Sequence, residues 1–140
     1  MRITFNFLNK ISLSNRTKLK QFIKALSQSE KTAIADLAIV FCSDKYLLNI
    51  NNEFLKHDFY TDIITFDLTS KNDTEKTVEI YISTDRLKEN AINFNTSLQM
   101  ELHRVLFHGL LHICGYKDKS KADKELMKNM ENKYLNKYFK

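Results

Sequence analysis

SLQMELHRVLFHGLLHICGYKD, residues 97–118, is the stretch that decides how this chain folds. Its apolar residues recur at the spacing of a helix that is buried over most of its surface, and this predicts a long helix over about 97–114. His108 and His112 are four residues apart, so the two imidazoles lie on one face of that helix. The polar stripe is narrow, and burying it costs free energy unless a partner satisfies the imidazoles.

The chain has only two glycines, and both lie beside these histidines. Gly115 stands where a helix would end in a left-handed turn, which glycine adopts without penalty. The chain can reverse there, and we expect Asp118 to return toward His108 and His112. Gly109 lies inside the helix, where glycine costs about 1 kcal/mol relative to alanine. That cost indicates either close backbone packing behind the histidines or room for a substrate beside them.

Two imidazoles and a carboxylate are ordinary ligands of zinc, and three protein ligands with one open position are typical of catalytic zinc sites. The pattern H-x-x-x-H-x-x-G-x-x-D therefore predicts one divalent metal ion, preferably Zn²⁺, at His108, His112 and Asp118. The alternative is a histidine pair that is solvated or hydrogen-bonded only to protein. A carboxylate ligand would also make the site more tolerant of harder metals than three imidazoles would.

Periodicity places the remaining elements around the long helix. Alternating apolar residues predict strands at about 3–7, 37–41, 63–66 and 78–82, and helical spacing predicts further helices at about 19–26, 47–54, 87–94 and 120–134. The order βαβαββααα predicts an α+β fold, with a mixed, partly parallel sheet of about four strands covered by about five helices. We expect residues 1–140 to form one domain. The residues predicted to face the core from the last helix are Leu126, Met127, Met130 and Tyr134.

Composition limits the function classes only loosely. The net charge of +5 and the pI of about 9.1 are compatible with phosphate-rich partners, but most of the basic residues are lysines, which are more often simply solvated. No apolar run approaches the roughly 20 residues of a membrane span, and the start of the chain lacks the pattern of a signal peptide. We therefore expect a cytoplasmic protein without membrane contact. Cys42 and Cys114 are too few for a disulfide framework, so no disulfide partner is expected.

HGLLHICGY, residues 108–116, resembles the H-G-x-L-H-x-x-G-Y-D-H signature of the YbeY family of bacterial metal-dependent endoribonucleases. The resemblance continues upstream. TDIITF at 61–66 is similar to the T-D-V-L-S-F segment of the family, and EIYIS at 79–83 is similar to its G-D-I-x-I-S strand. The similarity covers roughly residues 35–127 in the same order and spacing.

This chain departs from the family pattern at three places. Asp118 replaces the third histidine, although a shift of one residue would instead put Lys119 at the ligand position. We prefer Asp118, because lysine is a poor metal ligand. The family's arginine six residues before the Thr-Asp pair is Leu55 here, so Lys56 or His57 would have to supply the charge. Val78-Glu79 stands in place of Gly-Asp and keeps only the carboxylate.

The resemblance implies hydrolysis of single-stranded RNA in ribosomal RNA processing, including maturation of the 3′ end of 16S rRNA, and in ribosome quality control. It implies ribosomal RNA and small-subunit proteins as partners. Catalysis would use a water that the metal holds between His108, His112 and Asp118; the general base stays open, as does a choice between direct attack and activation of the ribose 2′-hydroxyl. Asp62 and Glu79 are candidates for carboxylates that orient a ligand. The candidate RNA contacts are Lys56, His57, Arg86, Tyr116, Lys117 and Lys119.

Two other functions compete with this hypothesis. One is a non-catalytic ribosome-associated factor that binds RNA and uses the metal for structure. The other is a metallopeptidase of the metzincin type, which has the skeleton H-E-x-x-H-x-x-G-x-x-H. Gly109 occupies the position of the proteolytic glutamate, so this second alternative lacks its general base.

Overall fold

One mixed sheet lies at the centre of the computed structural model, which describes residues 1–57 and 59–140. Its strands are β1 (Arg2–Phe7), β2 (Ile34–Cys42), β3 (Ile63–Asp67) and β4 (Lys76–Ser83), in the order β1-β2-β4-β3. Strand β2 is parallel to both β1 and β4, whereas β3 is antiparallel to β4. The predicted mixed, partly parallel sheet is confirmed.

Within the described residues, five helices cover the sheet. They are α1 (Arg16–Ser29), α2 (Asp44–Leu55), α3 (Thr84–Asn93), α4 (Leu98–Ile113) and α5 (Lys121–Tyr138). Serine side chains accept a hydrogen bond from the first turn of four of these helices and so fix where each begins. These serines are Ser43, Ser83, Ser97 and Ser120. The predicted order βαβαββααα and the α+β class are confirmed.

The side chains on the two faces of β4 pack into different apolar clusters. Val78, Ile80 and Ile82 belong to the main core, which also contains the apolar residues of α4. Tyr81 instead packs against a smaller cluster that includes Leu47 of α2. Because side chains alternate along a strand, α4 and α2 lie on opposite sides of the sheet. Any group that acts with the α4 histidines must therefore come from the α4 side or from a sheet edge.

Helix α5 packs against α4, and of the four residues predicted to face the core, Met127 and Tyr134 are buried and Met130 is partly buried. Met127 is 1% exposed, whereas Leu126 is 51% exposed, so the prediction that Leu126 faces the core is wrong. The buried residues of α5 are Met127, Glu131, Tyr134, Leu135 and Tyr138. Their spacing is that of one helical face, and it brings a glutamate into the interface with α4.

His103 is structural, as its position off the His108 stripe suggests. Its side chain is buried, and its Nδ1 lies 2.7 Å from the carbonyl oxygen of Gln99. The ring stacks on Tyr138 of α5 at a centroid distance of 4.8 Å. Burial lowers the pKa of His103, so the ring stays neutral and acts in packing.

No helix among residues 1–57 and 59–140 is long and apolar enough to cross a membrane. Neither cysteine forms a disulfide in this described part of the chain: Cys42 is buried, and Cys114 is partly buried against the main core.

Gly109 lets α4 approach β3 closely. A Cβ atom built at this position would lie 2.6 Å from the Cδ1 of Ile63 and 3.3 Å from the Cγ2 of Thr65. The glycine thus serves close packing between α4 and the edge strand, which is one of the two reasons that the sequence suggested.

Gly109→Ala should change the free energy of unfolding by no more than about 1 kcal/mol, because the gain in helix propensity offsets the displacement of the mobile Ile63 Cδ1. Gly109→Val should destabilise the chain by roughly 1–3 kcal/mol through overpacking. Urea denaturation measures both changes. Ala25→Val at an exposed position of α1 measures what valine costs in a helix without tight packing, and a loss in Gly109→Val no larger than in that variant would contradict the packing argument.

Candidate functional site

His108 and His112 of α4 line a cleft of about 650 Å³, which lies between α4, the edge strand β3 and the end of α2. His108, Gly109 and His112 form one wall, and residues 61–65 form the other. The two imidazole rings are nearly parallel, with an interplanar angle of 19° and a centroid distance of 6.4 Å. The spacing of four residues therefore places both rings on the same face, as predicted.

A protein acceptor occupies the Nδ1 atom of each ring. His108 Nδ1 lies 2.7 Å from the Glu131 carboxylate of α5, and His112 Nδ1 lies 2.8 Å from the carbonyl oxygen of Tyr116. A carbonyl oxygen and a carboxylate oxygen both accept, so Nδ1 is the donor in each bond, and in the neutral form of either ring Nε2 is bare. A bare Nε2 with an anchored Nδ1 is the arrangement that metal-ligating histidines have.

Gly115 makes the turn that the sequence predicts. Its φ of +106° lies in the region that favours glycine, and the reversal brings Asp118 back to the histidines. Asp118 Oδ2 lies 3.7 Å from His108 Nε2, beyond hydrogen-bond distance. The same turn supplies the Tyr116 carbonyl to His112, so one reversal positions both a carboxylate and the acceptor that orients an imidazole.

Arg104 connects the acidic groups behind His108. Its guanidinium lies 3.6 Å from the Glu101 carboxylate and 3.7 Å from the Glu131 carboxylate. Burial raises the pKa of Glu101, which is 2% exposed, while Arg104 acts in the opposite direction. The hydrogen bond from His108 to Glu131 raises the pKa of His108, and burial opposes that shift. Arg104, Glu101 and Glu131 thus form a partly buried network of charges behind His108.

Asp62 lies where the main cleft meets a smaller cavity of about 400 Å³ that also includes His108 and Glu131. Its carboxylate accepts a hydrogen bond from Asn90 of α3, at 3.4 Å, and burial raises its pKa above 3.8. Asp62 is thus beside the histidines, as predicted. The carboxylate that orients His108 is Glu131 rather than Asp62, because α5 reaches the Nδ1 side of the ring.

Glu79 is not part of the site, and its predicted role is wrong. It lies on the α2 side of β4, where its carboxylate accepts a hydrogen bond from the Tyr81 hydroxyl at 3.0 Å. Since Ile80 faces α4, the alternation of the strand directs Glu79 away from the histidines.

Five of the six predicted RNA contacts divide into three groups. His57 and Lys119 line the cleft, and Lys56 and Lys117 are exposed next to them in the chain. Arg86 lines neither cavity beside His108, because Asp44 accepts hydrogen bonds from its Nε at 3.1 and 3.2 Å.

Tyr116 contributes its backbone to the site, while its ring packs against the core. Its hydroxyl donates to Glu30 at 2.7 Å, and that hydrogen bond raises the pKa of Tyr116 to about 12. The ring of this predicted RNA contact therefore does not project into the cleft.

Known proteins match nearly the whole chain. The family model of endoribonuclease YbeY matches residues 5–139. The chain belongs to the endoribonuclease YbeY family. It is 45% identical to "Endoribonuclease YbeY" of Flavobacterium johnsoniae over 133 residues, which cover 95% of this chain and 94% of that protein. It is 46% identical to the protein of the same name from Christiangramia forsetii over 129 residues, which cover 92% and 89%.

The fold of this YbeY-family chain also matches a solved structure. The solution structure of the Thermotoga maritima protein TM1509 aligns with a TM-score of 0.61 and 25% identity, covering 99% of this chain and 89% of that one. The architecture described above is thus shared across the length of both chains.

In this YbeY-family chain the donor set fits a divalent ion only in part. Among residues 1–57 and 59–140, no three His, Cys, Asp or Glu side chains already converge as a metal-binding group. Two ligands of a tetrahedral zinc ion lie roughly 3.4 Å apart, so the 3.7 Å between His108 Nε2 and Asp118 Oδ2 suits a shared ion. His112 is exposed, and its hydrogen bond to the Tyr116 carbonyl engages Nδ1 rather than Nε2.

Two residues that line these cavities, Glu131 and Phe59, are not among those that the sequence motifs predict. Glu131 follows Met127 by four residues and precedes Tyr134 by three, so an acidic residue on the apolar stripe of the last helix was the available signal. Phe59 lines the cleft and is 55% exposed, and its ring stacks on His57 at a centroid distance of 5.1 Å. An exposed aromatic residue near charged residues is too common in sequences to be singled out.

Glu131→Gln should weaken zinc binding roughly tenfold, because the neutral amide is a poorer acceptor for His108 Nδ1. Competition with a chromogenic chelator measures the affinity. Glu125→Gln, at an exposed position of the same helix, is the matched control. Equal affinities in the two variants would show that Glu131 does not support a metal ligand.

Proposed function

We propose that this chain is a metal-dependent endoribonuclease that cleaves single-stranded RNA in ribosomal RNA processing. Membership of the endoribonuclease YbeY family indicates an endoribonuclease, which is a hydrolase. The observation that carries the proposal is the pair of histidines with anchored Nδ1 atoms, whose Nε2 atoms are left for a ligand in an open cleft. We extend it to maturation of the 16S rRNA 3′ end and to ribosome quality control, which the resemblance in sequence implies.

The proposed metal ligands are His108, His112 and Asp118, and the proposed ion is Zn²⁺. When bound, a divalent ion supplies Lewis-acid activation of water and polarisation of a phosphoryl oxygen. The protein contributes the orientation of the donors. Glu131 fixes the His108 ring, and the Gly115 turn fixes His112 through the Tyr116 carbonyl.

Asp62 is the proposed group for proton movement beside the histidines. Its carboxyl group lines both cavities beside His108, where it can accept a proton and return it. Asn90 donates to Oδ2 at 3.4 Å and keeps the carboxyl group in place.

The shape of the cleft supports single-stranded RNA as the substrate. Asn51 is 2% exposed, and its side-chain amide donates to the backbone carbonyl of Phe59 at 2.9 Å. The backbone carbonyl of Asn51 accepts from the backbone N–H of His57 at 3.1 Å. These bonds position the stacked His57 and Phe59 rings at the cleft. An aromatic face of this kind stacks on an unpaired base, whereas paired bases are stacked within their own helix. Lys119 at the cleft supplies positive charge for the phosphates.

Leu55 lines the same cleft where the family pattern has arginine. Arginine grips a phosphate with two parallel hydrogen bonds, which leucine cannot replace. We propose that Lys56, His57, Lys117 and Lys119 together provide the phosphate contacts, as point charges. The proposed partners are ribosomal RNA and proteins of the small ribosomal subunit, the proposed compartment is the cytoplasm, and residues 1–140 act as one domain.

His108→Ala should reduce the zinc content of purified protein from about one ion per chain to a trace and abolish cleavage of a short single-stranded RNA. Elemental analysis and gel assays measure the two effects. His57→Ala removes an exposed histidine and should keep its zinc, so it is the control for metal content. Unchanged zinc in His108→Ala, or cleavage by a verified metal-free preparation, would overturn the proposed metal centre.

Phe59→Trp should give a fluorescent reporter in a chain that has no tryptophan, and we expect single-stranded RNA to quench it by stacking. Phe54→Trp is the matched control, because Phe54 is also exposed but lies beside β4 on the α2 side. Titration of metal-free protein with an unstructured oligonucleotide measures both signals. Phe59→Ala should weaken binding by about tenfold, near the lower end of the effect of one stacked base. Equal responses from the two tryptophans would exclude a stacking role for Phe59.

A further inference from the structure

Glu30 follows the last turn of α1 and binds two tyrosine hydroxyls at once. One carboxylate oxygen accepts from Tyr116 at 2.7 Å, and the other accepts from Tyr134. Tyr116 belongs to the loop that follows α4, and Tyr134 belongs to α5. A single carboxylate thus ties together three segments that are 86 and 104 residues apart in the chain.

Tyr116 connects Glu30 to His112, and we call this connection the Tyr116 arm. The carbonyl oxygen of Tyr116 accepts the hydrogen bond from His112 Nδ1 at 2.8 Å. Because the ring and the carbonyl belong to one residue, fixing the hydroxyl on Glu30 restricts where this carbonyl can lie. His112 is exposed, so few other contacts hold its ring.

Tyr134 connects Glu30 to α5, and α5 carries the acceptor of His108; we call this connection the Tyr134 arm. Tyr134 is buried, and Glu131 lies three residues before it on the same face of α5. Glu131 accepts the hydrogen bond from His108 Nδ1 at 2.7 Å. The bond from Tyr134 to Glu30 therefore fixes α5 one turn away from the carboxylate that orients His108.

We propose that Glu30 is a positioning residue that sets the orientation of both His108 and His112 through its two tyrosines. The relevance of this positioning role to RNA cleavage rests on the proposed function, in which these histidines are metal ligands. The orientation itself belongs to the metal-free protein. It is therefore measurable whether or not the metal centre exists.

The test is the protonation pattern of the histidine rings in metal-free, ¹⁵N-labelled protein at about pH 8, where histidine is ordinarily neutral. Long-range ¹H–¹⁵N correlation spectra distinguish a proton on Nδ1 from one on Nε2. The native chain should show the Nδ1–H form at both His108 and His112. Glu30→Ala should shift His112, and to a smaller extent His108, toward a mixture of the two forms.

His103 is the internal control, because its Nδ1 bonds to Gln99 of its own helix and should keep its signal. Glu30→Gln should restore the native pattern, since the amide can accept from one tyrosine and donate to the other. A folded Glu30→Ala chain with native signals at both His108 and His112 would overturn the proposal. A loss of stability with unchanged rings would show a purely structural role and would overturn it as well.

Tyr116→Phe tests one arm with a smaller change, in case Glu30→Ala fails to fold. It should alter His112 and leave His108 unchanged. Tyr81→Phe, which removes a hydroxyl on the α2 side of the sheet, should leave both histidines unchanged. A native His112 signal in Tyr116→Phe would remove the loop arm and contradict the proposal.

Zinc affinity separates this proposal from the proposed function. If the native chain binds zinc, Glu30→Ala should bind it roughly tenfold more weakly and Glu30→Gln should bind it normally. If the native chain binds no zinc but the ring signals change as expected, the metal centre fails and the positioning role stands. If zinc binds equally to the native chain and to Glu30→Ala and the ring signals are also equal, the positioning role fails and the metal centre stands.

Discussion

The hydrogen bonds at the Nδ1 atoms of His108 and His112 are the interactions on which the rest of the site depends. An imidazole has two nitrogens, and a neutral ring can bind a ligand only through the nitrogen that lacks the proton. The hydrogen bond at the other nitrogen sets which one that is. Here one acceptor is a carboxylate from α5 and the other is a backbone carbonyl from the Gly115 turn. The neighbouring helix and the turn therefore complete what the spacing of four residues on α4 begins.

This arrangement requires acidic groups in a partly buried place, which costs free energy unless opposite charge lies close by. Arg104 meets that requirement, because it lies between the carboxylates of Glu101 and Glu131. The network explains why α4 carries a polar stripe along its buried surface. It also explains why the interface between α4 and α5 is not purely apolar, although Leu106 and Met127 in the same region are fully buried.

The features that the sequence predicts well are those set by local geometry. The shared face of the two histidines follows from the helical repeat, and the return of Asp118 follows from the left-handed turn at Gly115. Element order follows from apolar periodicity. The comparisons then establish the family that the motif at 108–116 suggested.

The features that the sequence does not predict depend on packing between distant segments. Glu131 is 23 residues from His108 in the chain. Asp44 and Arg86, which form an ion pair, are 42 residues apart. Nothing in the periodicity of either segment specifies those pairs. The error at Glu79 is different in kind, since the alternation of Val78, Ile80 and Ile82 already fixes the opposite face for the glutamate. There, similarity to a family motif outweighed a local rule that was available.

The dependence of His108 on a carboxylate from α5 has a consequence for how the chain acquires activity during synthesis. His108, His112 and Asp118 leave the ribosome before Glu131 does, and until α5 docks, the His108 ring lacks the acceptor that fixes its proton. A nascent chain that has not yet folded its last helix thus carries an unfinished site. The His108 side of the site is therefore complete only after α5 has been translated and has docked on α4.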